Sequence, residues 1–313
     1  MGYKRAGFRV VGANDIDPEM AWHYKHNLKP PLYYLCPIRD LLTADLPPEL
    51  FALDILDGSP PCSTFSMAGS REKAWGKEKH FREGQAKQVL SDLFFDYLDL
   101  VERLRPRVAI AENVKGMIMG NAKGYTKLVM ARFREIGYRP QLFLVNAADC
   151  GVPQRRERVF FCAIREDIDR PALKLAPKHR WISAGEATKD LQALTASEKE
   201  DTQPTRTDHR YWYKTKSGQS YSTVSGGSAF NHVKLHNKQP SCTLTANHSR
   251  FTHWSECRCL TFREWKRLGS FPDDYHAKTD KIGKYMIGMS VPPRMTEVVA
   301  GAVADQWLVA QQR

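Results

Sequence analysis

Val108-Ala109-Ile110-Ala111-Glu112-Asn113-Val114 decides the fold class. Four apolar residues run without alternation, as in a strand covered on both faces of a parallel sheet, and the run then turns abruptly to an acid and an amide. Upstream, 92–104 places Leu93, Phe94, Tyr97, Leu98, Val101 and Leu104 at helical spacing, and Pro106 ends the helix. Leu53-Asp54-Ile55-Leu56 reads as a second strand and 8–13 as a third. Downstream, 125–136 reads as an amphipathic helix closed by Gly137, with strands at 141–145 and 158–164. Strands alternating with helices predict an α/β sheet. From about Pro171 to Trp254 the chain turns polar, rich in Thr, Ser, Gly, His and Lys, and reads as a separate, smaller module with short strands at best. A helix is expected at 261–268, and a last one from Pro293 through Trp307, packing back on the first domain.

The 313 residues are 42% hydrophobic and 26% charged, an ordinary globular balance. No apolar stretch is long enough to span a bilayer, and Met1-Gly2-Tyr3-Lys4-Arg5 leads into no apolar run. A cytoplasmic or nucleoid-associated protein is expected. Seven cysteines, an odd number with no CxxC pair, argue against a disulfide framework and against ordinary zinc spacing, so no metal is expected. Formal net charge is +12, which points to a polyanion. Between Gln203 and Arg250 the bases Arg206, Arg210, Lys214, Lys216, Lys234, Lys238 and Arg250 face one acid, Asp208, with four histidines and the run Tyr211-Trp212-Tyr213 interleaved. Cations mixed with stacking aromatics suit a nucleic-acid surface.

Three segments carry chemistry. Gly58-Ser59-Pro60-Pro61-Cys62-Ser63 follows a strand, at the carboxyl edge where α/β sheets bind ligands, and two prolines stiffen it before the thiol. A thiol acts as a nucleophile only where its surroundings favour the thiolate. The loop that follows supplies Arg71, Lys73, Lys77, Lys79, Arg82 and Lys87. Glu112-Asn113 ends the central strand at the same sheet edge. Gln154-Arg155-Arg156-Glu157-Arg158 opens another strand.

Pro-Pro-Cys-Ser with Phe65-Ser66 downstream, Glu-Asn-Val and Gln-Arg-Arg-Glu-Arg, in this order, resemble the motifs of the cytosine-5 DNA methyltransferases. Asn14-Asp15-Ile16-Asp17 resembles that family's acidic cofactor motif. Arg258-Cys259-Leu260-Thr261-Phe262-Arg263-Glu264 with Arg267-Leu268 and Phe271-Pro272 resembles its late scaffolding motif, and Ile287-Gly288-Met289-Ser290-Val291-Pro292-Pro293 its last. The resemblance spans nearly the whole chain outside the variable segment before Trp254. It implies a Rossmann-like α/β methyltransferase domain over 1–176 plus 276–313, and a smaller irregular target-recognition domain over 177–275. It further implies S-adenosyl-L-methionine as cofactor and duplex DNA as substrate, with base flipping and a setting in restriction–modification in a prokaryote or phage.

By the same resemblance Cys62 is the nucleophile that adds to C6 of cytosine, Glu112 acts at N3, Arg156 contacts the base and Arg158 supports the network, while Asn113 positions the strand end. Asp15, Ile16, Ile38, Pro61, Leu93, Ser290 and Val291 are the expected cofactor contacts. Ser66, Arg71, Lys73, Arg206, Arg210, Lys214 and Lys216 are the expected DNA contacts. The chain departs from the pattern at three places. Met1 to Gly7 reads as the end of a helix, so the family's first strand and glycine-rich turn are absent, Cys36-Pro37-Ile38 has proline at the adenine-contacting acid, and Met289 replaces an asparagine. A weak sheet centre and poor cofactor affinity are therefore expected, along with a second polypeptide or upstream segment that supplies the strand. The alternatives are a cofactor-deficient DNA-binding relative and a tRNA cytosine-5 methyltransferase sharing fold and nucleophile.

Overall fold

The computed structural model describes residues 1–60, 78–79, 88–89, 93–120 and 122–309. It divides into two compact units. One comprises Gly7–Val145, Glu157–Ala176 and Val299–Arg313; the other comprises Met1–Ala6, Asn146–Arg156 and Pro177–Val298.

The first unit holds strands β1 to β8, which lie between Gly12 and Arg165. β1 (Gly12–Asp15) and β2 (Leu32–Leu35) pair in parallel with Gly12 opposite Leu32, and α2 (Pro18–Leu28) connects them; α1 (Gly2–Arg5) belongs to the other unit. The Asp17 carboxylate starts α2 by accepting from the Glu19 amide at 2.8 Å, and Pro18 stands where a helix needs no amide donor. A four-stranded sheet runs in the order β3-β6-β8-β7, with β3 (Ile55–Gly58), β6 (Val108–Val114), β7 (Tyr138–Asn146) and β8 (Glu157–Arg165). β3 is parallel to β6 and β8 antiparallel to it; a short ladder, β4 (Glu78–Lys79) with β5 (Gln88–Val89), stands apart. The helices α3 (Leu93–Leu104) and α4 (Ala122–Glu135) supply Phe94, Leu98, Val101, Val129 and Phe133 to a core that buries Ala109, Ala111 and Phe161. Tyr97 is 2% exposed, and its hydroxyl lies 2.9 Å from both the Leu56 and Ile110 carbonyls. At the far end the Trp307 indole donates to the Pro171 carbonyl and the Gln306 amide brackets Lys174, which docks the C-terminal turn on 171–174.

The sheet is in two pieces. Among the described residues no strand pairs β1 with β3, yet both edges pack on one cluster: Leu41, Leu46, Leu50, Leu100 and Leu104 contact Val11 and Leu32 on one side and Leu53 and Leu56 on the other. β6, flanked by two strands, is buried from Val108 to Asn113, whereas no residue of β1 or β3 is buried. The strand expected at 8–13 begins only at Gly12, because the first residue of β2 opposite it is Leu32.

The second unit is built from short pieces: α5 (Ala184–Thr188), α6 (Ala196–Asp201), α7 (Arg206–Tyr211), α8 (Phe262–Leu268), α9 (Asp280–Met289), and the two-residue strands β9 (Val233–Lys234) and β10 (Phe251–Thr252). α10 (Pro293–Val303) runs from this unit into the first. Helices this short need caps and tertiary support. Thr195 with Glu198, Thr205 with Asp208 and Thr261 with Glu264 each form a reciprocal capping box. Arg263 then grips Glu198 at 2.6 Å with both Nε and Nη2, and Arg258 grips Glu264 at 2.8 and 2.9 Å.

Beside that pair lies buried His253, 3.8 Å from a Glu264 oxygen. Burial, then the Arg258 cation, push its pKa from the ordinary 6.5 down to about 4, against the opposing pull of Glu264. The unfolded chain thus binds this proton more readily than the folded one. Stability from the neutral ring is complete above about pH 6.5 and is lost as pH falls through about 4, to a limit of roughly 3 kcal/mol. Urea midpoints at pH 7 and pH 4.5 should differ less for His253→Gln than for the parent.

Candidate active site

Gly58, the last residue of β3, is registered opposite Ala111, so the chain leaves β3 level with the point where β6 reaches Glu112. Asn113 Nδ2 donates to the Pro60 carbonyl at 3.1 Å while its Oδ1 accepts from the Val114 amide at 2.9 Å. The amide side chain therefore fixes the backbone two residues before Cys62 in the chain. Cys62 itself, with Pro61, Ser66, Arg71 and Lys73, lies outside the described residues.

The Glu112 side chain is 11% exposed and accepts from Arg158 Nε at 2.8 Å. β8 pairs antiparallel with β6, Glu112 opposite Phe160 and Val114 opposite Arg158, which sets Arg158 one diagonal step from Glu112 on the same face. Burial lowers the Arg158 pKa and Glu112 opposes that shift. Sheet register thus joins two of the expected catalytic residues in a nearly dry ion pair at a strand end.

Asp15 ends β1. Its Oδ1 accepts from the Asp17 amide at 2.9 Å, and burial raises its pKa. Asn14 Nδ2 donates to the Tyr34 and Cys36 carbonyls and so holds the ends of β1 and β2 together. Ile38 opens the 3-10 turn Ile38–Leu42, which Arg39 ties to α3 through Asp96 at 2.8 and 2.9 Å; Leu93 is the buried first residue of α3. An acceptor at the carboxyl end of a strand and apolar side chains on the following elements suit a ribose and a purine. Ser290 and Val291 lie in the other unit, where Ser290 caps α9 by donating to the Met286 carbonyl.

In that unit Arg156 is 2% exposed, and its Nη1 and Nη2 donate to the Leu244 and Gly288 carbonyls at 2.8 and 3.0 Å. Gln154, which opens the Gln-Arg-Arg-Glu-Arg run but carried no role of its own, reaches the Leu268 carbonyl and the Leu244 amide, both at 3.2 Å. A Cβ on Gly288 would stand 2.5 Å from the Thr245 carbonyl carbon and oxygen, backbone that cannot yield. Gly288→Ala should therefore push α9 away from 244–246, weaken the Arg156 bonds and cost about 1–3 kcal/mol or more in urea unfolding.

Arg206, Arg210, Lys214 and Lys216 are all exposed. The aromatic run among them does not face outward as a whole. Trp212 is buried, donates to the His253 carbonyl at 3.0 Å and carries Lys234 Nζ 3.6 Å from its ring centre, Tyr211 packs on Tyr221, and only Tyr213 projects, 76% exposed. Asp208, the single acid of the segment, is fully buried and accepts from the Tyr221 hydroxyl at 2.9 Å. Among the described residues no helix is long and apolar enough to cross a membrane.

A family model for C-5 cytosine-specific DNA methylases matches residues 1–305. The type II methyltransferase M1.HphI of Haemophilus parahaemolyticus is 26% identical over 97% of this chain and 82% of its own length. Among solved structures, one described as a DNA modification methyltransferase encoded within a prophage (E. coli) superimposes with a TM-score of 0.69 at 20% identity, covering 97% of this chain and 94% of that one. A mutant of Spodoptera frugiperda DNMT2 superimposes at 0.67 and 17% identity, covering 96% and 95%. The structural likenesses show the fold, a Rossmann-like α/β arrangement.

Proposed function

The chain belongs to the C-5 cytosine-specific DNA methylase family, and on that footing we propose that it methylates C5 of a flipped-out cytosine in duplex DNA through a covalent bond between Cys62 and C6. The observation that carries the reading is the Glu112–Arg158 pair at the end of β6, beside an Asn113 that holds Pro60 just ahead of the thiol. Burial raises the pKa of each described thiol, to about 12 at Cys150 and Cys259 and about 11 at Cys242, which disfavours the thiolate there.

C5 of cytosine is a poor nucleophile. Addition of the Cys62 thiolate to C6 opens the 5,6 double bond, and Glu112, held by Arg158, supports N3 as the ring gains electron density. S-adenosyl-L-methionine, when bound, supplies the electrophilic methyl group; Asp15 would accept from the ribose hydroxyls, and Ile16, Ile38, Pro61, Leu93, Ser290 and Val291 are the further contacts that the family resemblance implies. After C5 is methylated, loss of its proton and expulsion of the Cys62 thiolate restore the ring. Arg156, its Nη atoms engaged by carbonyls, serves as a positioning residue. The functional division follows the sequence: 1–176 plus 276–313 for catalysis, 177–275 for target recognition.

The two-piece sheet favours one refinement. A second polypeptide or an upstream segment supplies a strand to β1 and β3 together with a glycine-rich turn for the cofactor. Micromolar binding of S-adenosyl-L-methionine by residues 1–313 alone would remove the need for it.

Tritiated S-adenosyl-L-methionine, incubated with the chain and either mixed-sequence duplex DNA or tRNA, tests the reading. Label in DNA cytosine, obtained directly or after adding a peptide bearing the strand and turn, is expected. Label in tRNA alone, or none with the peptide present, would overturn it in favour of an RNA enzyme or a non-catalytic DNA binder.

A further inference from the structure

The segment 217–233 contains no Asp, Glu, Lys or Arg, although Lys214 and Lys216 precede it and Lys234 and Lys238 follow. Its backbone is tightly laced. Ser220 bridges Val233, and the Tyr221 amide donates to the His232 carbonyl at 2.9 Å. Ser225 and Ser228 exchange hydroxyl-to-carbonyl hydrogen bonds across the turn. Ala229 takes a left-handed φ of 54°, and its carbonyl accepts from the His232 amide at 2.9 Å. The Phe230 carbonyl accepts from Ser220 Oγ at 2.6 Å. This lacing fixes the Phe230 main chain, yet its side chain is 65% exposed.

The loop has an interior that Phe230 does not enter. Tyr221 is fully buried and stacks on His232, ring centres 5.7 Å apart and planes 19° from parallel. Tyr221 also packs on Tyr211, and Tyr213, in edge contact with Trp212, is a second exposed ring. Phe230 and Tyr213 are two exposed aromatic rings on one polar module, free to offer apolar or stacking contact to a base. Charge selects the occupant: Lys214, Lys216 and Lys238 around the loop are exposed cations, while Lys234 is turned in onto Trp212 and Asp208, the acid of the segment, is buried. A neutral tip between lysines matches the chemistry of a DNA groove, where uncharged base edges lie between phosphate walls.

We infer that the tip of this loop, 222–231, enters a groove of the target DNA and that Phe230 makes the apolar base contact that discriminates one step of the recognition sequence, while Lys214 and Lys216 hold phosphates. The inference rests on the DNA reading above and extends it to a specificity-determining residue.

The 313-residue chain, Phe230→Ala and Lys214→Ala are each passed over a random-sequence duplex library, and bound molecules are sequenced. The parent should enrich a motif. Phe230→Ala should keep that motif except at one or two adjacent positions, where preference falls about tenfold, with unchanged affinity for random duplex and an unchanged salt slope. Lys214→Ala should weaken all sequences alike and reduce the slope by about one. Unchanged enrichment in Phe230→Ala, or an equal loss on every sequence, overturns the assignment. Absence of any motif with the parent overturns the DNA reading beneath it, so the two failures are distinct.

Discussion

Cys62→Ser is expected to lower methyl transfer at least about a thousandfold while leaving DNA affinity and the urea midpoint within error of the parent. A serine hydroxyl keeps the shape of the thiol but is almost never ionised near neutral pH, so the attack on C6 that unlocks C5 fails. Burial raises the pKa of every described thiol and so disfavours its thiolate. Cys162 is wholly buried, Cys150 and Cys259 are pushed to about 12, and Cys242 to about 11. Single-turnover transfer to duplex DNA, measured on parent and variant from matched preparations, checks this. Residual transfer within tenfold of the parent would remove Cys62 from the mechanism.

Arg158→Ala should cost about 3–5 kcal/mol of unfolding free energy and abolish measurable transfer. The two side chains are 14% and 11% exposed, and the Nε–Oε1 distance is 2.8 Å. Water screens such a pair little, and removing the cation leaves a carboxylate in a strand end that is otherwise buried. Arg158→Lys should recover part of the stability but less of the activity, because an ammonium cannot reproduce the planar donor set. Glu112→Gln should lose transfer with a smaller stability cost, since the amide oxygen still accepts from Arg158. Urea unfolding of the three variants orders these effects. An Arg158→Ala midpoint equal to the parent's would show that the pair does not organise the sheet edge.

The buried strands were the most legible part of the molecule, for a physical reason. Val108 to Ala111 is apolar throughout because β6 is buried on both faces, and a short unbroken apolar run is what such a strand requires. β2 escaped notice because Leu32-Tyr33-Tyr34-Leu35 is four residues long with no alternation. α9 escaped because Gly283 and Gly288, both required by close packing, mask its helical character. The candidate site shows the same limit. Residue type and order marked Glu112, Asn113 and Arg158, but their pairing follows from antiparallel register, which the spacing does not encode. The Gln-Arg-Arg-Glu-Arg run offers three equivalent cations; only tertiary acceptors, 88 and 132 residues away in sequence, commit Arg156 to Leu244 and Gly288. Likewise three consecutive aromatics at 211–213 cannot be sorted into packed and projecting rings until Lys234 and His253 are seen to claim Trp212.

The most direct test of the central claim is covalent trapping. A duplex whose cytosines are replaced by 5-fluorocytosine cannot lose the C5 substituent as a proton, so an enzyme that works through a C6 adduct remains attached after methyl transfer. Mass spectrometry of the digested complex should find the nucleotide on the peptide containing Cys62, and Cys62→Ser should give no adduct. Methyl transfer to ordinary cytosine without any adduct on the fluorinated duplex would contradict the account.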